Sequence, residues 1–398
     1  MDRETVVIVG AGPSGLSAAL FLSELGIPVT VIEQGDTPSR DPRAATFHPP
    51  TLELLAPSGV TDELIARGII SPVWQHRDRR RGLIAAFDLS VLADDTPYPY
   101  RLQCEQHKFV EVLTAKLQGR EDVTLHFGAA VTNVVQDADH VRVETDRGSF
   151  EAAWVIGADG GRSGVRKSQD IAFEGFTYEE RFLVITTDYD FSARGFAVSN
   201  YVADPEEWCA VFQVPGDREG GLWRSVFPMR EADDGDTIVR DQAGAHARVA
   251  RFVPDDAPFE VVHINIYNVH QRVAASFRKD RVMLIGDAAH VNNPLGGMGM
   301  NFGVHDAHNL AVKLAEVIKG RAPKTLLDLF DRQRRYAATT FLQKLTIQNK
   351  RQLEEQDPAV REARDRDLVI AASDPEKARA HLLNTSMIAG FRAANAIA

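Results

Sequence analysis

The chain has 398 residues, enough for two packed lobes, since single hydrophobic cores usually stop growing near ~250 to 300 residues. A hydrophobic fraction of 44% and a charged fraction of 25% exclude a disordered or fibrous chain. A net charge of -11 argues against a nucleic-acid binder, which needs clustered Lys and Arg, and Cys104 and Cys209 stand in no metal-like spacing and imply no disulfide framework, so a cytoplasmic protein is expected.

Residues 5–9 (TVVIV) form a short β-branched run ending at glycine, which reads as a buried parallel strand. The apolar stretch 5–22 is not read as a signal peptide or a membrane span. Gly10, Gly12, Pro13, Ser14 and Gly15 interrupt it, and it lacks a basic flank and a clear cleavage site, so no stable membrane association is expected. A helix follows, with Leu16, Ala19, Leu20 and Phe21 on one stripe and Gly26 as its stop, and residues 28–32 return as a second strand ending at Glu33. This βαβ unit carries Gly10-x-Gly12-x-x-Gly15, with Ser14 inside the turn. Such a turn lets the backbone approach a pyrophosphate while the helix N-terminus supplies N–H donors. Glu33 follows Gly15 by about 18 residues, where a carboxylate can accept from ribose hydroxyls. A glycine turn serving helix–strand packing alone is the alternative.

The basic run 76–81 (HRDRRR) reads as a solvated loop. Two later apolar runs, 154–160 and 282–287, end in strand-to-glycine junctions with Asp159 and Asp287 at the strand's carboxyl end, where open α/β sheets place ligands. The nucleotide lobe is therefore expected to be discontinuous. Between about Thr177 and Ile266, short alternating runs read as an inserted antiparallel sheet, turn-rich around 216–221 and 233–236. After Gly299 the chain reads as helical: 306–320, then 326 to about 356, broken at Pro358, with 351–367 as a solvated side. His305-x-x-His308 with Asp306 falls on such a helix and is not read as a metal site.

A glycine turn does not separate FAD from NAD; the remaining segments do. Together they resemble the class A flavoprotein aromatic hydroxylases, the para-hydroxybenzoate hydroxylase family, over nearly the whole chain. Residues 6–33 match that family's ADP-binding fingerprint. Residues 43–55 (RAATFHPPTLELL) resemble the stretch whose arginine contacts the FAD phosphates, a role carried to Arg43, with His48 read as structural. Gln106 matches a glutamine near the flavin, and Val131 the residue whose backbone meets the adenine. Residues 157–166 (GADGGRSGVR) resemble a second motif, tied to FAD and to transient NAD(P)H binding, and contain Asp159. The strongest match is 286–290 (GDAAH) with Pro294 and 296–301 (GGMGMN). There the resemblance implies that Asp287 bonds the ribityl chain and that Gly299, Met300 and Asn301 face the flavin. Asn292 and Asn293 depart from the commoner family wording, in which Pro or Ser is frequent.

The implied architecture is α/β: a discontinuous Rossmann-like FAD-binding lobe (1–75, 100–175 and 276–345), an inserted antiparallel-sheet substrate lobe (76–99 and 176–275) and a C-terminal helical segment (346–398). The implied reaction reduces FAD with NADH or NADPH as transient co-substrate, adds O2, and delivers one oxygen from a flavin C4a-hydroperoxide to a small aromatic phenol or acid. The cofactor carries that chemistry, and the protein positions the ring and excludes water. Cys-x-x-Cys and Trp-x-Trp-x-Ile-Pro are both absent, which counts against disulfide reductases and halogenases. Arg224, in 222–228 (LWRSVFP), is expected to steer an anionic ring or the nicotinamide, the alternative being a solvated strand arginine. Tyr201 is a candidate to polarise a phenol, the alternative being a buried structural tyrosine; Pro294 completes the expected catalytic set. A flavin oxidoreductase or epoxidase acting on a non-aromatic compound, and a non-catalytic flavin-binding protein, are the rival functions. The chain ends without the thioredoxin-like domain of longer phenol hydroxylases, which favours a single-component enzyme; a homodimer is allowed.

Overall fold

Val6, Val7 and Ile8 are fully buried, so strand β1 (Glu4–Val9) lies inside a sheet covered on both faces, as a continuous β-branched run requires. The structure, a computed structural model, describes residues 4–40, 44–229, 238, 242–252 and 258–398. Arg43 and the stretch 233–236 lie outside the described residues. β1 pairs in parallel with β2 (Val29–Ile32) and with β11 (Gly148–Gly157). Beyond these, again in parallel, lie β8 (Val123–His126) and β18 (Val282–Leu284). Antiparallel pairing adds β9 (Val131–Gln136), β10 (Val141–Thr145) and β17 (Arg278–Lys279). Segments distant in sequence thus form one sheet.

Its register positions the motifs. Val9 lies opposite both Ile32 and Gly157, and Gly157 lies opposite Leu284. The three glycine junctions therefore emerge side by side at the carboxyl end of the sheet. Gly10 has φ +106, a conformation that favours glycine, and a Cβ there would fall 2.5 Å from the Ala158 carbonyl oxygen. The helix Pro13–Glu24 crosses the helix Gly299–Ile318 closely, because a Cβ at Gly303 would come within 2.1 Å of Ser14 Oγ.

The second sheet runs β19 (His290–Val291), β16 (Val261–Ala274), β12 (Phe173–Thr187), β15 (Leu222–Met229), β14 (Cys209–Val214), β13 (Ser199–Ala203), β5 (Val73–Asp78) and β6 (Gly82–Asp88). Successive side chains alternate between its faces. Leu183, Ile185, Val211, Trp223 and Phe227 pack on one face with Ala245 and Val249 of the helix Ala243–Ala250. The opposite face carries a row in register, His263, Thr186, Arg224, Phe212, Ser199 and Trp74. A parallel row holds Asn265, Val184, Val226, Ala210 and Tyr201. The sheet departs from the expected all-antiparallel arrangement at β13–β5, which is parallel. β5 arrives from the first third of the chain, so no hairpin ties its direction to that of β13.

The run 76–81 is a solvated turn only in its second half, where Arg80 and Arg81 are exposed. Residues 73–78 form β5, and His76 and Asp78 are each 2% exposed. Asp78 accepts from the Arg80 and Arg81 backbone N–H groups at 2.9 and 3.0 Å and from the guanidinium groups of Arg81 and Arg361 at 3.1 and 2.8 Å. Burial pushes its carboxyl upward, but the bonds from Arg81 and Arg80 outweigh it and hold the group at about 2. Arg81 thus serves a buried carboxylate, while Arg79 and Arg80 face Glu207 and Glu206.

A small third sheet places β7 (Arg101–Gln103) between β3 (Thr46–Phe47) and β4 (Ile69–Ser71). The helix carrying Asp306 begins at Gly299, earlier than expected, since its first five residues contain two glycines and it has no side-chain N-cap. The later helices close the far side: Leu368, Ala378, Leu382 and Ile388 pack on Trp74, Phe87, Leu89 and Leu92. Among the described residues no helix is long and apolar enough to cross a membrane.

Candidate active site

Between the two larger sheets runs a continuous cleft of about 1520 Å³. Small-molecule pockets usually measure ~300 to 1,000 Å³, so this one has room for a dinucleotide and a further ring. Gly10, Gly12, Ser14, Glu33, Gln106, Val131, Asp159 and Asp287 all line it, as do Pro294, Gly299, Met300, Arg224 and Tyr201. Two of the expected residues do not: Gly15 and Asn301.

At one end the glycine turn meets the helix Pro13–Glu24, whose N-terminus has no side-chain cap. Its first N–H groups and positive dipole end are left to the cleft. Glu33 closes the turn, accepting from Ala11 N–H at 2.8 Å and Gly35 N–H at 2.9 Å. Its carboxylate retains lone pairs for a hydroxyl donor. Gly12 has ordinary extended backbone, and a Cβ there would meet no protein atom within 4 Å. Neither strain nor packing asks for glycine at that position; close approach of a bound group does. Gly15 is different, because its Cβ would fall 1.9 Å from the Gly10 carbonyl oxygen. It serves the packing of helix on turn.

The second junction turns at Asp159, whose Oδ2 accepts from Val165 N–H at 3.0 Å. Burial raises its pKa against the lowering effect of Ser163 and of backbone N–H groups. Arg166, in the same motif but assigned no role from sequence, donates to Ala288 O at 2.9 Å and Gly161 O at 3.0 Å, tying the second junction to the third.

At the third junction Asp306 is buried and accepts from Gly286 N–H at 3.0 Å, His290 Nε2 at 2.7 Å and Arg334 Nε at 2.6 Å. Asp287, next in sequence to Gly286, is exposed to the cleft. Asn301 is buried on the inner face of its helix, where it accepts from His48 N–H at 2.9 Å and donates to Thr46 O at 2.8 Å and Gly297 O at 2.7 Å. Its polar atoms hold the loop 46–48 and the Gly297 turn, so it acts on the cleft through them. His48 bonds Gly296 O at 2.8 Å; burial, followed by the charge of Arg101, lowers its pKa to about 3, so the ring is neutral and donates Nε2–H.

On the sheet face, Arg224 is 4% exposed, which removes the solvated-strand alternative. Its charge bears on Tyr267, whose hydroxyl burial pushes well upward. Tyr201 stands edge-on to Trp74 at 5.5 Å, and burial raises its pKa to about 12 against the opposing pull of Arg101. Sequence reading missed Arg101, Gln103, Trp74 and Tyr267, all of which line the cleft. The alternation Arg101-Leu102-Gln103 about a fully buried leucine was the available signal. Gln103 donates to Ser199 Oγ and accepts from Thr46 Oγ1, both at 3.0 Å, linking the third sheet to the second.

An uncapped helix N-terminus, a fixed carboxylate beside it and a glycine without a conformational reason fit a flavin dinucleotide. Residues 3–344 match the model of the FAD binding domain family. Para-nitrophenol 4-monooxygenase from Pseudomonas sp. (strain WBC-3) is 36% identical over 392 residues, 97% of this chain and 96% of that one. 6-Hydroxy-3-succinoylpyridine 3-monooxygenase HspB from Pseudomonas putida is 33% identical, covering 89% of this chain and 90% of that one. The crystal structure of p-nitrophenol 4-monooxygenase PnpA from Pseudomonas putida DLL-E4 superposes with a TM-score of 0.91 at 36% identity, covering 98% of both chains. The chain belongs to the FAD binding domain family, among its flavoprotein monooxygenases.

Proposed function

We propose that the protein uses NADH or NADPH and O2 to hydroxylate a small, one-ring phenolic compound. The observation that carries this reading is the single cleft that joins a dinucleotide-type glycine turn to a cationic and aromatic wall. Two relatives named for the oxidation of nitrophenol and of a hydroxypyridine, both hydroxylated six-membered rings, support the substrate class. In this reading residues 1–75, 100–175 and 276–345 hold FAD, 76–99 and 176–275 hold the substrate, and 346–398 buttress the substrate side.

Gly10, Gly12, Ser14 and Glu33 take the ADP end, Gln106, Val131 and Asp159 the middle, and Asp287, Gly299 and Met300 the ring end. Bound FAD supplies electron transfer from the nicotinamide and activation of O2. The residues of the chain position and desolvate. The uncapped N-terminus of the helix Pro13–Glu24 offers donors to a pyrophosphate, and the N-terminus of the helix Gly299–Ile318 directs its positive end toward the ring. Pro294 walls the reacting side, and Arg224 steers an anionic group. Tyr201, held near 12, keeps its proton at neutral pH and serves as a donor to the substrate oxygen. Two buried free thiols suit the cytoplasm.

The test is to purify the FAD-loaded protein and follow NAD(P)H oxidation and O2 uptake across phenols, aminobenzoates and hydroxypyridines. One ligand is expected to accelerate oxidation sharply and to gain one oxygen by mass spectrometry. If FAD is bound and no aromatic gains oxygen, the reading is wrong and a non-aromatic substrate takes its place.

A further inference from the structure

Arg101 lines the cleft at the centre of the small third sheet and is only 6% exposed. Among the described residues its one side-chain hydrogen bond runs from Nη2 to Thr385 O at 3.2 Å, and its Nε has no partner. No described carboxylate forms an ion pair with it; the ionisable groups coupled to it are Tyr201, His48 and His381. Burial lowers its pKa to about 10, so it remains a cation at neutral pH.

Two features soften that burial without neutralising it. Thr385 O is a terminal carbonyl of the helix Pro375–Thr385, the negative end of the helix dipole, which amounts to roughly half a charge. The guanidinium carbon lies 5.9 Å from the Trp74 ring centroid, within cation–π reach. A buried cation with no counter-charge is expensive, and the remaining charge favours an anion in the cleft. The neighbours suit an aromatic one: Trp74 and Tyr201 stand edge to face beside Arg101, and Gln103 shares its strand face. His48, which bonds Gly296 O and feels the charge of Arg101, sets this corner near the turn that precedes Gly299.

We propose that Arg101 is the anion receptor of the substrate pocket and selects the phenolic substrate in its ionised form, the oxyanion bonded by the Arg101 guanidinium and the Tyr201 hydroxyl. The inference rests on the phenol reading above and deepens it. The phenol releases its proton to bulk water before binding, Tyr201 keeps its own, and the site needs no base. An ionised ring is also the more electron-rich one, which suits transfer of an electrophilic oxygen.

The groups facing Arg101 allow a clean test. His48 is held at about 3, and burial with the charge of Arg101 lowers His381 to about 4, while Tyr201 lies near 12. None of the three titrates between about pH 5.5 and about pH 9, so a binding midpoint in that window that moves with the acidity of the phenol belongs to the ligand, and one common to every phenol belongs to another group lining the cleft and overturns the inference. The FAD-loaded enzyme, without reductant, is titrated with 4-nitrophenol, with a less acidic phenol and with neutral 4-nitroaniline, following the flavin and ligand spectra. Affinity for each phenol is expected to rise with pH, with a midpoint that follows that phenol's own acidity. Bound 4-nitrophenol is expected to show the nitrophenolate band below its solution midpoint. Arg101→Met should weaken nitrophenolate binding roughly 30-fold or more and leave nitroaniline nearly unchanged, with Arg101→Lys between. Equal affinity for nitroaniline and nitrophenolate, or full affinity in a flavin-loaded Arg101→Met, overturns the inference while the hydroxylase reading stands. If Arg101→Met does not hold FAD, the wild-type midpoints and the bound-ligand band decide alone. If no aromatic perturbs the wild-type flavin, the hydroxylase reading fails, and the role of Arg101 falls with it.

Discussion

Replacing Asp306 by asparagine would test how the third glycine junction is held against the sheet. The carboxylate is fully buried and takes three hydrogen bonds, from Gly286 N–H, His290 Nε2 and Arg334 Nε, while the Arg334 side chain is itself 1% exposed. Asparagine keeps the size but has one acceptor oxygen, so it satisfies one side of the network and presents an NH2 group to the other. Arg334 is then a buried cation without its counter-charge. Breaking a buried ion pair from one side costs about 3 to 5 kcal/mol, a large share of the ~5 to 15 kcal/mol that holds a typical domain. We expect Asp306→Asn to lose about 3 kcal/mol or more in urea unfolding followed by circular dichroism at saturating FAD. FAD should also dissociate more readily, by fluorescence titration, because the Gly286 turn that presents Asp287 loses its anchor. The pH dependence carries a sign. Burial pushes the Asp306 carboxyl up, but His290 and Arg334 outweigh it and hold the group at about 2. A depressed carboxyl stabilises the fold above its unfolded pKa near ~3.9 and loses that contribution as pH falls through about 2. The variant should lack that part of the acid limb. Unfolding within about 1 kcal/mol of wild type, together with unchanged FAD affinity, would refute the anchoring role.

Other substitutions separate binding from packing. Gly12→Ala should leave the apo fold within about 1 kcal/mol of wild type, since its Cβ meets no protein atom, yet weaken FAD by at least roughly tenfold in fluorescence titration. Gly15→Ala should lower stability itself, because its Cβ lands 1.9 Å from Gly10 O; equal melting temperatures for the two variants would contradict this contrast. Tyr201→Phe removes a donor to a charged oxygen, worth about 1.5 to 3 kcal/mol, so kcat/KM should fall roughly 10- to 150-fold. Its pH–rate profile should keep every neutral-range inflection, since the Tyr201 hydroxyl is held near 12; loss of one would make Tyr201 a base instead. Arg224→Ala should raise KM for the ring or for NAD(P)H, and unchanged values for both would remove its steering role.

What could be read from the sequence divides along a physical line. Gly10 and Gly286 are legible because positive φ and close approach are demands of the local backbone, and the residue type answers them in place. The positions of Glu33, Asp159 and Asp287 are legible for the same reason, each following a strand by one to three residues at the carboxyl end of the sheet. Asn301 is expected to face the flavin, but its side-chain direction depends on a helix that begins at Gly299, two residues before it, and on partners at Thr46 and His48 that are 255 and 253 residues away. In the run 76–81 charge does not report exposure uniformly: Arg80 and Arg81 are exposed, but His76 and Asp78 are buried. Asp78 is buried with Arg361, 283 residues downstream, and neither half of that pair explains itself alone. A buried charge is thus written in two places, and its meaning appears only when both are known. Arg101 extends the argument one step further. Thr385 O, 284 residues away, satisfies part of its guanidinium, and no carboxylate in the described chain supplies the rest. A charge whose second half is absent among the described residues suits a partner that arrives from solution, and the ring wall formed by Trp74 and Tyr201 sets what shape that partner has.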